Sequence, residues 1–326
     1  LKQCIQSFGM NPSTSKLYFS VPLAFLLLTL SALSYSQTLR VGTTLWPGYE
    51  PLYLAEEINA YKSDIRLINY PSTSEVLRAF KNHTLEAAAL TLDEVILLSE
   101  SGTAIDIILI LDISEGADVI MGHPELVNMQ GLIGAKVAVE STAVGAYTLS
   151  RALEMHNIDI QDISLVNAVL SSHKESYTKK LADAVVTFEP VRTQLLNQGA
   201  IELFSSKEIP GEILDVLVVH KNTINTHKEQ LYDIAKGWFK GLQQIKKYPN
   251  ASYRFIASRL KLTEKEVKDS YLGLSLPSLN ENKKLMLGSP APLSLTLDRL
   301  TQHMIDTNLL DSGDTKKTTI NTMFLP

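Results

Sequence analysis

The sequence predicts an α/β protein of two lobes, each built on its own sheet, joined by two interlobe crossings and completed by a helical C-terminal tail. Three observations lead there. Short β-rich apolar runs alternate with amphipathic helical patterns, the alternation starts over near residue 118, and beyond residue 222 the pattern is almost wholly helical. The 326 residues, 45% hydrophobic and 20% charged, suffice for two cores and exclude a disordered or multi-pass membrane chain.

The N-terminus reads as an address. Residues 1–20 hold Lys2 and Lys16 and no acid, and an apolar run follows over 21–33. That run is too short to span a bilayer, and Ser34 and Ser36 place small residues three and one positions before Gln37, as in a signal peptide over residues 1–36 cut after Ser36. No cysteine follows the run, so the exported chain is expected free of a lipid anchor. Cys4 is the one cysteine and the histidines lack ligand spacing, so neither a disulfide framework, a metal site nor a cofactor is expected. Without the leader the net charge is −7, and no block of Lys or Arg could follow a run of phosphates, which excludes nucleic acid as a partner.

In the mature chain strands are predicted at 39–44, 65–70, 87–90 and 105–111, with helices at 51–61, 74–82 and 93–101 between them. The second block has strands at 136–140, 164–169 and 183–188 and helices at 143–156 and 190–197, and 201–205 and 216–220 add strands. In the tail Trp238, Phe239 and Leu242 form one apolar face, and Leu295, Leu297, Leu300 and Met304 another. The expected organisation is lobe 1 over 37–118 and 222–326, interrupted by lobe 2 over 119–221, with crossings near 118–123 and 218–222.

In such sheets ligands bind beyond the carboxyl ends of the strands. After the first strand, Trp46 and Tyr49 are amphipathic rings in a turn set by Pro47 and Gly48; they either stack on a planar or cationic group or pack the loop onto its own lobe. Ser72 and Thr73 follow the second strand, with Ser74 read as a plain N-cap, and Thr91-Leu92-Asp93 opens the next helix. The loop from Asp112 to Asp118 holds three carboxylates in seven residues, unfavourable unless solvent, backbone donors or a ligand cation compensates. In the second block Glu140-Ser141-Thr142 leads into a helix, and Glu189 precedes Pro190 at a helix start, where an acid is favourable in its own right.

The segments LRVGTTLWPGYEPLYLA, DISEGADVIM, KVAVESTAVGAYTLSRALE, ADAVVTFEP and DVLVVHK, in that order from Leu39 to Lys221, resemble the nitrate/sulfonate/taurine-type solute-binding proteins of ABC importers, a family that also takes in thiamine-pyrimidine binders. The resemblance implies a type II periplasmic binding fold, acting as a periplasmic monomer that closes on a small solute and delivers it to a membrane permease and its ATPase. It implies cleft-facing positions for Trp46, Tyr49, Ser72, Thr91, Ser114, Ser141 and Glu189. The candidate loops hold several acids and no Lys or Arg, which repels a free anion. The expected solute is therefore cationic, amine-bearing or heterocyclic, held by Trp46 and Tyr49 with Glu189 and Asp112 or Asp118 as acceptors. A sensing subunit that docks on a signalling receptor is the alternative. No nucleophile elbow, P-loop, dinucleotide fingerprint or zinc-protease motif is present, so catalysis is not expected.

Overall fold

The computed structural model describes residues 37–142, 144–311 and 317–326, so the leader expected over 1–36 lies outside the described residues. From Gln37 onward the chain runs β1 (Leu39–Thr43), α1 (Glu50–Glu57), β2 (Ile65–Asn69), α2 (Thr73–Lys81), β3 (Ala87–Thr91), α3 (Leu92–Glu100) and β4 (Ile105–Ser114). There follow β5 (Asp118–Gly122), β6 (Lys136–Val139), α4 (Val144–Met155), β7 (Ser164–Asn167), α5 (Leu170–Thr178), β8 (Ala184–Phe188), α6 (Val191–Leu196), β9 (Ile201–Ser205) and β10 (Leu214–His220). The tail comprises α7 (Thr223–Thr226), α8 (Lys228–Lys247), α9 (Pro249–Leu260), α10 (Glu264–Ser270), β11 (Leu274–Ser275), α11 (Leu279–Met286), α12 (Pro292–Asp306) and β12 (Thr318–Ile320).

Strands covered by helices on both faces must be apolar along their length. β3, β4 and β10 obey this, being buried at nearly every position, and they form the centre of the first sheet. Its order is β11-β4-β10-β3-β1-β2, with β12 also on β4. β1 pairs parallel with β2 and β3, whereas β10 runs antiparallel between β3 and β4. The second sheet, β7-β6-β8-β5-β9, repeats the plan, because β5 lies antiparallel to β8 and β9. Each sheet thus receives its inserted antiparallel strand straight from the other: β5 follows β4, and β10 follows β9. This reciprocal exchange is the two-lobed type II arrangement.

Three expectations change. Residues 214–220, read as part of lobe 2, sit in the middle of the first sheet, so the crossings are 115–117 and 206–213 rather than 118–123 and 218–222. An all-apolar run such as LDVLVVH suits any central strand, and its partners are chosen by long-range register that local pattern does not carry. The tail, read as almost wholly helical, adds two short strands, β11 and β12, which both pair with β4 and cover its outer edge. Leu295, placed on an apolar face, is 49% exposed, while Leu293, Leu297, Leu300 and Met304 are buried. Among the described residues no helix is long and apolar enough to cross a membrane.

The crossings are tied to each other. Ser114 and Ser206 are joined through their hydroxyls at 2.8 Å, the Gly116 N–H donates to Ser206 Oγ at 2.6 Å, and the Asp118 N–H donates to Ser114 Oγ at 3.2 Å. Gly116 has φ of +124°, a conformation that a side chain would strain.

Candidate ligand cleft

A small cavity of about 20 Å³, room for about one water molecule, lies between the two sheets. Thr44, Trp46, Tyr49, Thr73, Thr91, Glu94 and Asp215 line it from the first lobe, and Asp118, Val144 and Phe188 from the second. The first-lobe residues come mainly from loops past the carboxyl ends of β1, β2 and β3, where such sheets place ligands.

The aromatic turn is held by acids behind it. The Trp46 indole N–H donates to both Asp112 oxygens, at 3.3 and 3.1 Å, and the Tyr49 hydroxyl donates to Asp215 Oδ1. Trp46 meets Phe188 of the opposite lobe edge-on, with ring centroids 5.4 Å apart. A Cβ on Gly48 would fall 2.0 Å from Asp112 Oδ2, so only glycine lets the carboxylate come this close to the loop.

Register concentrates the charge. On β10, Asp215 sits opposite Asp112 of β4 on one side and Thr91 of β3 on the other. Thr91 caps α3: its N–H donates to Glu94 Oε2 at 3.0 Å, and Glu94 Oε1 accepts the Val144 N–H from the opposite lobe at 3.2 Å. Asp118 is 4% exposed, and its Oδ2 has no hydrogen-bond partner among the described residues.

Burial raises these carboxyls. Asp118 is pushed up to about 8 by desolvation, reinforced by the nearby charges of Asp215, Asp93 and Glu189. Desolvation takes Asp112 to about 7 and Asp93 to about 6. Glu94 and Asp215 are held well above the ordinary carboxylate range, first by burial and then by neighbouring Asp93 and Asp112 respectively. No Lys, Arg or His is among the described residues lining the cavity.

Of the nine residues expected at the cleft, the structure brings together Trp46, Tyr49, Thr91, Asp112 and Asp118. It places the other four elsewhere. Ser72, not Ser74, is the N-cap of α2 and accepts the Glu75 N–H at 3.3 Å. Ser114 joins the crossings. Ser141 is exposed and donates to Asn167 Oδ1 at 3.3 Å. Glu189 closes the start of α6, accepting the Thr193 N–H at 3.1 Å and hydroxyl at 2.9 Å and the Arg192 guanidinium at 3.1 Å.

Sequence reasoning missed Glu94, Asp215 and the latch beside the cavity. Ser74 of α2 donates its N–H at 2.9 Å and its hydroxyl to Glu140 Oε1 and meets Thr142 Oγ1 at 2.7 Å, joining the two lobes. The spacing Thr91-x-x-Glu94 is a capping-box signature that would have found Glu94. Asp215 has no local signal beyond an acid opening an apolar strand.

The sequence profile of the NMT1-like family matches residues 34–260. Comparison with curated proteins finds no match. Among solved structures, the alkanesulfonate-binding protein SsuA from Xanthomonas axonopodis pv. citri bound to MOPS is similar at 12% identity and a TM-score of 0.75, over 87% of this chain and 98% of that one. The periplasmic aliphatic sulphonate binding protein SsuA from Escherichia coli is similar at 14% identity and a TM-score of 0.69, over 86% and 96%. The periplasmic nitrate-binding protein NrtA from Synechocystis PCC 6803 is similar at 13% identity and a TM-score of 0.70, over 87% and 84%. At these identities the likeness establishes the fold.

Proposed function

The chain belongs to the NMT1-like family, and we propose that it is the periplasmic solute-binding component of an ABC importer, capturing a small cationic solute, an amine or a protonated heterocycle, between its lobes. The observation that carries this reading is the cavity wall: among the described residues it holds Glu94, Asp118 and Asp215 with no basic residue, and an Asp118 oxygen without a partner. Burial holds these acids as neutral carboxyls up to about pH 7 to 8, and a ligand cation would let them ionise by supplying the counter-charge. The rings of Trp46 and Tyr49 add faces on which a cation or planar ring can rest. Alkanesulfonate and nitrate, named for the three structural relatives, would bring a negative charge against these acids once they ionise, above about pH 7 to 8.

Capture follows from the contacts already described. The cavity as it stands admits about one water, so a solute that bridges Asp215 and Tyr49 of one lobe to Asp118 and Phe188 of the other would enter with the lobes parted and hold them wider than here, favouring a closed form whose edge contact is the Ser74–Glu140 bond. The closed molecule is the form a permease would receive, and the role requires no chemical step.

A thermal-shift panel of amines, aminopyrimidines, alkanesulfonates and nitrate tests the reading. A ligand at one hundred times its Kd stabilises by about 2.7 kcal/mol. An amine or heterocycle is expected to give that shift. A shift with sulfonate or nitrate alone would refute the cationic assignment, and a flat response to every class would refute solute capture of this kind.

A further inference from the structure

A second, larger cavity of about 400 Å³ lies alongside the cleft, on the far side of the Ser74–Thr142 contact. Its walls come from three helices whose lining residues recur at helical spacing: Leu77, Arg78 and Lys81 on α2, Asp93, Leu97 and Ser101 along α3, and Thr142, Ala146 and Tyr147 at α4. Met304 and Leu309 close it from the tail. The volume and the mainly apolar wall with a few polar groups are those of a small-molecule site, whereas the acidic cleft beside it holds about one water.

The cavity has a polarity. α2 and α3 follow parallel strands β2 and β3 in successive β-α units, so they run side by side in one direction, with their C-terminal ends together. Lys81 and Ser101 therefore mark the end remote from the cleft, with Arg78 one turn back, and Asp93 and Thr142 mark the end beside it. Arg78 and Lys81 have no ion-pair partner among the described residues. From Asp93 to Ser101 the helix rises about 12 Å, enough to lie alongside an extended eight-carbon chain.

We propose that this cavity is a second binding site, for an amphipathic anion such as a medium-chain carboxylate, with its head at Arg78 and Lys81 and its tail along Leu77, Leu97, Ala146 and Met304. The occupant would touch α2 and α3 of the first lobe and α4 of the second, so it would favour the closed arrangement from outside the cleft. The site has the opposite charge preference to the cleft and does not depend on what the cleft binds.

Titration calorimetry with octanoate, octylammonium and octanol tests it on the wild-type protein, the Arg78→Ala/Lys81→Ala double variant and Ala146→Phe, whose ring fills the cavity. Octanoate is expected to bind saturably at one equivalent, at least tenfold tighter than octylammonium or octanol. The double variant should lose that advantage, and Ala146→Phe should abolish binding. Photo-crosslinking with a diazirine-bearing octanoate should label α3 and α4, an independent readout should the phenylalanine variant fail to fold. No saturable octanoate binding, equal binding of octanol, undiminished binding by a folded Ala146→Phe variant, or labelling confined to other elements would each overturn the proposal.

Discussion

Replacing Asp118 by asparagine should make the empty protein more stable and the loaded protein weaker. The side chain is buried, one of its oxygens has no partner among the described residues, and its carboxyl is raised from 3.8 to about 8, chiefly by desolvation. Because the folded form holds this proton more tightly than the unfolded chain does, the stability it contributes is fully present below about pH 4 and is lost as pH rises to about 8. At 1.36 kcal/mol per pH unit the ceiling on that loss is about 6 kcal/mol, and relaxation and water entry bring a realistic figure to about 3 kcal/mol. Asparagine keeps the shape and cannot ionise. Calorimetric melts at pH 4.5, 6.5 and 8.5 should therefore show nearly equal stabilities at the lowest pH and a variant melting higher by about 6 °C or more at the highest. In the wild type, affinity for an amine should rise with pH over the same range, while the variant should bind it at least tenfold more weakly with no such rise. A variant no more stable than wild type at pH 8.5, or equally stabilised at every pH, would refute the assignment of Asp118 as a buried, uncompensated acid.

Three other substitutions address neighbouring parts of the design. Gly48→Ala would drive a methyl to within 2.0 Å of Asp112 Oδ2 and 2.3 Å of Trp46 Nε1; urea melts should show a loss of about 1–3 kcal/mol, and tryptophan fluorescence should report the displaced indole. Ser206→Ala removes the acceptor of the Gly116 N–H and the partner of Ser114; chemical denaturation should show a loss of about 1–3 kcal/mol with an unchanged m-value. Ser74→Ala deletes the hydroxyl contacts to Glu140 and Thr142 while leaving the backbone bond; stopped-flow release of a cleft ligand should accelerate about fivefold, with stability altered by less than about 1 kcal/mol.

How far these features can be read in advance depends on whether their cause is local. The β-α alternation, the aromatic turn at Trp46 and the acid-rich junction at Asp112–Asp118 are written in short stretches of chain, and all three are where the fold needs them. Glu189 and Ser72 illustrate the opposite outcome. Each is the residue type a ligand would want, and each instead satisfies the free N–H groups of the helix it precedes. The choice between those uses depends on where the opposite lobe lies. Asp215 escaped notice for a related reason: its partners Asp112 and Thr91 are more than a hundred residues away, and only antiparallel insertion of β10 makes the three neighbours. The same insertion moved the second crossing to 206–213.

If the cleft captures a cation as proposed, the placement of these acids would make closure of the empty cleft depend on its charge. Asp112 and Asp215 lie on β4 and β10, adjacent strands of one sheet, so they stay together when the lobes move. Asp118 opens β5 on the other side of the 115–117 crossing and travels with the second sheet. Closing would therefore carry one carboxyl toward two others and toward Glu94 in a site with no basic residue among the described ones. Below about pH 6 protons neutralise the group and closure would meet little opposition; as Asp118 and Asp112 ionise near pH 8 and 7, their repulsion would favour parted lobes until the proposed cation enters. The radius of gyration of the empty protein, measured by X-ray scattering, should accordingly grow between pH 6 and 9, return to its lower value when an amine saturates the cleft, and become independent of pH in Asp118→Asn. A wild-type radius that does not change over this range would sever the link between cleft charge and lobe opening, and would leave the acids as a static feature of the binding surface.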